Sequence, residues 1–238
     1  MSSLTYNGHD FSGYVTAELV EPAGHALSPR SLAVPGRPGA ALLGCELPPR
    51  PLTVRLFLDA GVTLTAEERS AIRHELYGWL VAPMGAELSL TGEPNLTWRD
   101  AVVTGVSDWD SLFEGGSCEV EFTCLDPVAY GDEVTSAGTA LTVDGTWATW
   151  PVVTLTALAG TSVKVADGLG RYVLVERTFA AGDVVVMDFA AEVVTVDGVD
   201  ASADVAVEST FFSLTPGSHT LAFSGCSAHT VEWVERWL

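Results

Sequence analysis

Five histidines, four cysteines and 31 carboxylates are the side chains of this 238-residue sequence that can bind a metal or move a proton. Their spacing does not organise them into a site. His9, His25, His74, His219 and His229 are scattered, and none lies in the HxxH or HExxH pattern that sets two imidazoles on one helix face. His9-Asp10 offers two donors, too few for a metal site by themselves. Cys45, Cys118, Cys124 and Cys226 lack CxxC or Cys/His ligand spacing. No GxSxG turn presents a serine, and no glycine-rich loop cradles a phosphate. Carboxylate pairs occur throughout so acidic a chain, so no pair is nominated as a glycosidase couple. Asn95-Leu96-Thr97 fits the glycosylation pattern, which matters only on a secretory route. The expectation is a protein without catalytic residues, metal or cofactor.

Indoles are the other candidates for recognition. Trp147 and Trp150 stand at the start of the second half, and Trp233 and Trp237 at its end. Exposed indoles stack on sugars or anchor a partner. Packing into the two ends of a sandwich is the competing and preferred reading.

Partner classes are narrowed by charge. Eleven basic residues against 31 acids give a net charge of −20, shared equally by residues 1–130 and 131–238. Such a field repels nucleic-acid phosphates and anionic lipid. The N-terminus lacks a basic region followed by an apolar core, so no signal peptide is expected. The uncharged stretch 145–163 contains Pro151, Gly160 and five threonines, which suits strands better than a membrane helix. No membrane insertion is expected, and the four cysteines are read as buried, reduced thiols of a protein folded in cytoplasm.

The elements follow from periodicity. In Ser117–Cys124, Cys118, Val120, Phe122 and Cys124 alternate with Glu119, Glu121 and Thr123, the pattern of a strand with one wet face. Asp126-Pro127 stops it. Leu52, Val54, Leu56 and Leu58 mark another strand. Thr65-Ala66-Glu67-Glu68 is a capping box that opens a helix bearing Ile72, Leu76, Trp79 and Leu80 on one face, with Pro83 ending it. Ser28–Gly44, rich in Pro, Gly and Arg, reads as a long loop or extended arm. Beyond 138 only short Val- and Thr-rich runs occur, with turn signals such as Asp167-Gly168 and Asp197-Gly198 between them. The predicted fold is mainly β: a β-rich domain with one helix over 1–131, a linker over 132–139, and an antiparallel β-sandwich over 140–238.

Several segments, taken in order, resemble the distal tail proteins of long, non-contractile phage tails. They are Tyr6-Asn7-Gly8-His9-Asp10-Phe11-Ser12, Val34-Pro35-Gly36-Arg37-Pro38-Gly39, Leu47-Pro48-Pro49-Arg50-Pro51-Leu52-Thr53-Val54 and Leu76-Tyr77-Gly78-Trp79-Leu80. Then come Glu93–Ala101, Val120–Pro127 and, more loosely, Thr149-Trp150-Pro151 and Phe211–Gly217. Arg37-Pro38-Gly39 departs from the Arg-Asp-Gly expected there. The resemblance implies a hub ring, usually hexameric, between the tail tube protein and the tail-tip hub protein (a tail-associated lysin or fibre). It implies a tail-tube-like first domain around a channel and a galectin-like second domain that carries receptor-binding proteins or meets cell-surface glycan. The protein would act in the virion of a phage or prophage, after synthesis in the host cytoplasm, with DNA only in transit.

Such a role assigns candidate positions. Glu119 and Glu121 become candidates for the channel wall, outer surface being the alternative. Val34, Pro35, Gly36, Arg37, Pro38 and Gly39 become an inter-subunit arm, and Trp147 and Trp150 a partner or glycan contact. Competing expectations are a carbohydrate-binding module, a tail-tube subunit and an acidic hydrolase.

Overall fold

The computed structural model describes residues 3–20, 26–36, 38–58, 64–91 and 95–238, with the side chain of Asp110 excepted. The chain forms two compact units, Met1–Ala129 (joined by Leu238) and Tyr130–Trp237.

In the first unit the strands are β1 (Leu4–Tyr6), β2 (His9–Asp10), β3 (Val15–Val20), β4 (Ser28–Ala33), β5 (Ala40–Glu46), β6 (Arg50–Leu58), β7 (Ala86–Leu90), β8 (Leu96–Val106) and β9 (Ser117–Cys124). Two helices interrupt them, α1 (Ala66–Leu80) and α2 (Trp109–Gly115). Antiparallel pairing joins the strands of one sheet in the order β3-β6-β9-β8-β7-β1-β2. Its inner face takes every second residue of β6 and β9: Leu52, Val54 and Leu56 beside Val120 and Phe122, all essentially buried. Tyr6 packs edge-on against Phe122 at 5.1 Å and donates its hydroxyl to the Ala101 carbonyl at 3.0 Å. A buried phenol thereby keeps a partner.

Helix α1 starts where the capping box says it should. The Glu68 amide donates to Thr65 Oγ1 at 3.3 Å, and the Thr65 amide donates to Glu68 Oε2 at 2.8 Å. Two orphan donors of the first turn are satisfied. Leu76 and Leu80 are buried, and the helix stops at the Val81 cap. Thr65→Ala is expected to destabilise the first unit by about 1 kcal/mol, measured as a lower urea midpoint at constant slope.

Helix α2 was not expected. Its seven residues bury Leu112, and Gly116, at φ 82°, closes it by donating its amide to the Leu112 carbonyl at 3.1 Å. About two turns are too few for the periodicity to stand out in sequence.

Two sheets make up the second unit. Its strands are β10 (Ala129–Ser136), β11 (Ala140–Val143), β12 (Val152–Ala157), β13 (Gly160–Asp167), β14 (Tyr172–Phe179), β15 (Val184–Asp188), β16 (Val193–Val196), β17 (Val199–Asp200), β18 (Gly217–Ser224) and β19 (Cys226–Trp237). One sheet has the order β17-β16-β15-β12-β19-β10 and the other β11-β18-β13-β14. Val153, Leu155, Val185 and Val231 of the first meet Val163, Val165, Val173 and Leu221 of the second in one core. This is the expected antiparallel sandwich. Asp197-Gly198 turns β16 into β17 with positive φ at both residues (50° and 78°), as tight hairpins require.

The residues read as a linker, 132–139, are corrected. Most of them lie in β10, whose neighbour is β19, so backbone hydrogen bonding fixes what composition suggested was loose. The stretch 145–163 becomes a loop, β12 and the start of β13. Among the described residues no helix is long and apolar enough to cross a membrane.

Candidate assembly surfaces

Strand β9 lies between β6 and β8, and its period of two places Glu119 and Glu121 on the face opposite the core. They are not equivalent. Arg55 donates to Glu119 Oε1 from both Nη2 (2.6 Å) and Nε (3.1 Å). This hydrogen bonding and the carboxylate charge raise the Arg55 pKa. Glu121 is exposed and leans over Gly105, where an added Cβ would meet its Oε2 at 2.6 Å.

The segment read as a long loop or arm is a β-hairpin. Among the described residues strands β4 and β5 pair only with each other, through six register positions and a bulge at Leu43. Arg30 and Glu46 form an exposed ion pair near its base. At its tip, Val34, Pro35 and Gly36 enter a turn, with Gly36 at φ 79°; Pro38 and Gly39 (φ 78°) lead out of it. Arg37 lies outside the described residues. Pro35, Gly36, Pro38 and Gly39 stand at the tip, but Pro29 lies in β4 and Gly44 in β5, so composition hid the two strands. Leu42 and Leu43 are 66% and 68% exposed, and Leu32 is exposed as well.

Trp147 and Trp150 are not core residues. They are 37% and 41% exposed, while Trp233 is buried. The loop carrying Trp147 lies across β19. Thr146 and Trp147 donate their amides to the Arg236 carbonyl (2.9 Å each), and Thr149 Oγ1 donates to the Val234 carbonyl at 2.7 Å. Glu235, a buried carboxylate that sequence reasoning missed, accepts from the Gly145 amide at 2.6 Å and from Trp233 Nε1 at 2.7 Å. Its signal was parity: Val231, Trp233 and Glu235 occupy the inward register of β19.

A further surface was invisible in sequence. A groove of about 580 Å³ runs along the end of α1, the connection to β7, the end of β8 and the start of α2. Tyr77, Val81, Pro83, Val106 and Trp109 line it, with Asp108 among them.

Among the described residues no group of three His, Cys, Asp or Glu is placed to hold a metal. His9 stacks on Trp79, centroids 5.0 Å apart and planes 5° apart. Asp10 accepts from the Ser12 amide and hydroxyl at 2.9 Å each, which lowers its pKa. The pair is thus engaged separately.

Comparison with known proteins matches the same two units. Residues 7–124 match the phage tail protein RIFT-related domain, and residues 144–237 match the C-terminal domain of the siphovirus-type tail component. The chain belongs to the siphovirus-type tail components. Its fold is that of the phage SPP1 Dit protein, described as a paradigm of the hub adsorption apparatus in phages infecting Gram-positive bacteria, with a TM-score of 0.77 at 20% identity over 100% of both chains. The phage P2 baseplate in its activated conformation with Ca is more distant, with a TM-score of 0.49 at 9% identity over 99% of this chain and 98% of that one. No curated protein matches the sequence. As a distal tail component the protein has a structural role in the tail hub.

The thiols of this tail component differ in exposure, which corrects the expectation of four buried ones. Cys118 and Cys124 are buried, Cys226 is half-buried and Cys45, on the hairpin, is exposed; all four are free. Burial pushes the Cys118 and Cys124 thiols up to about 11 and about 12. Their folded pKa values exceed the unfolded value of about 8.5. The folded state therefore holds these protons more tightly, and their stabilising contribution is complete below pH ~8.5 and is lost as pH rises through the folded values. Alkylation of the native protein at pH 8 is expected to label Cys45 rapidly and Cys118 and Cys124 only after unfolding, as read by peptide mass spectrometry.

Proposed function

We propose that this tail component forms the closed ring, hexameric in the usual form, at the distal end of a long non-contractile phage tail. There it joins the tail tube protein to the tail-tip hub protein and leaves a channel for DNA. The family match over both units carries the structural role. The ring reading draws its support from a hairpin whose two strands, among the described residues, pair only with each other. An isolated two-stranded hairpin is marginal in water. A second surface is needed to steady β4–β5, and a ring subunit has a neighbour to supply one.

Within that ring the acidic face of β9 is proposed to line the channel, where like charge keeps DNA from adhering. Glu121 is the better candidate of the two, because Arg55 already offsets the charge of Glu119. The part-exposed Trp147 and Trp150, held on a stitched loop, are proposed as the contact for a receptor-binding protein or glycan. The reading includes no catalysis, synthesis in the host cytoplasm and residence in the virion. Immuno-electron microscopy of particles carrying a tagged copy tests it. Label at the tail end distal to the capsid is expected; label spread along the tube would instead indicate a tube subunit.

A further inference from the structure

We infer that the groove between α1 and the β8–α2 corner is the socket for the β4–β5 hairpin of a neighbouring copy. This deepens, and rests on, the reading of the chain as a ring subunit.

Shape and chemistry match on the two surfaces. The hairpin presents Leu32, Leu42 and Leu43 to solvent, apolar side chains that its own two strands cannot cover. The groove presents Tyr77 and Val81, both more than half exposed, and the less exposed Val106. Apolar patches exposed on both surfaces are what an interaction site looks like before its partner arrives. The indole N–H of Trp109, in the groove wall, is buried with no acceptor among the described residues. A strand seated there brings backbone carbonyls, and among the described residues β5 has one edge without a partner.

Charge selects the occupant. Residues 28–46 carry Arg30, Arg37 and Glu46, a net +1 in a chain of −20. Two copies of so acidic a protein repel each other over most of their surfaces. The hairpin is a segment of opposite sign, and the socket has Asp108 in its lining. A cationic, apolar hairpin therefore meets an acidic-rimmed, apolar groove. Hairpin and groove are different patches of one surface, so the contact is heterologous. Contacts of that kind close into rings or run on as filaments, and they do not stop at a dimer.

The test is photo-crosslinking of the full chain. A benzophenone amino acid replaces Leu42, and this protein is mixed with isotope-labelled wild type, irradiated and digested. Crosslinks between chains within 77–83 or 102–109 are expected. Rings whose crosslinks fall elsewhere would overturn the socket and leave the ring reading intact. A chain that stays monomeric at millimolar concentration would overturn both. Two exposed substitutions provide an independent check, with thermal melting confirming that each still folds. Leu42→Glu and Val81→Glu should each abolish rings alone. Mixed, they retain one sound hairpin and one sound groove between them and should give 1:1 pairs. Rings that persist in Val81→Glu would contradict the socket.

Discussion

Gly225→Ala is expected to destabilise the second unit by about 4 kcal/mol, the largest stability effect anticipated for a single methyl group in this chain. Gly225 links β18 to β19 at φ 76°, and its carbonyl accepts the Leu158 amide at 2.8 Å. A Cβ there would overlap the Ser162 carbonyl oxygen and approach Val163 Cα to 3.2 Å. Both obstacles are backbone of β13, which pairs with β18 on one side and β14 on the other, so neither moves cheaply. The left-handed conformation adds about 1–2 kcal/mol for an L side chain. At roughly 4–8 °C per kcal/mol for a unit of about this size, the melting transition should fall by about 15–30 °C. Gly168→Ala is the control, since no atom lies within 4 Å of its Cβ position and its φ is ordinary. It should shift the transition by only a few degrees. Equal, small effects of both substitutions would show that the β18–β19 turn is not pressed against β13.

Glu235→Ala is expected to cost about 3 kcal/mol. The carboxylate is buried and takes two hydrogen bonds, from Trp233 Nε1 and the Gly145 amide. Truncation strands both donors away from water, at about 1–3 kcal/mol each. Glu235→Gln keeps one acceptor oxygen and should lose less. The loop itself should persist, because Thr146, Trp147 and Thr149 hold β19 independently. Its Gly145 end should loosen, which acrylamide quenching of tryptophan fluorescence detects as greater indole access. Unchanged stability in the alanine variant would mean that water replaces the carboxylate, contrary to its burial.

The legible and illegible parts of this fold differ in the range of the interactions that make them. Strand β9 and helix α1 could be read directly, since a period of two and a Thr-x-x-Glu box are local patterns with local causes. The sandwich followed from repeated turn signals of the same kind. The hairpin was half seen: its proline- and glycine-rich tip was evident, but β4 and β5 show little amphipathic alternation because neither face is buried in one copy. Trp147 and Trp150 were expected to pack into the end of the sandwich, since they stand where the second half begins. Their exposure depends on Gly145, where a Cβ would overlap the Arg236 carbonyl, a contact between residues far apart in sequence. Glu235 was readable from parity, but a carboxylate is ordinarily solvated and draws no notice. The groove joins 77–83 to 102–109 and has no local signature at all.

Copies of this tail component are proposed to close into a ring. Light scattering across concentration, with negative-stain imaging of the largest species, tests it most directly. Concentration-dependent growth to one discrete species of about six copies, seen end-on as an annulus with a central hole, is expected. A single copy at every concentration up to the solubility limit would contradict it.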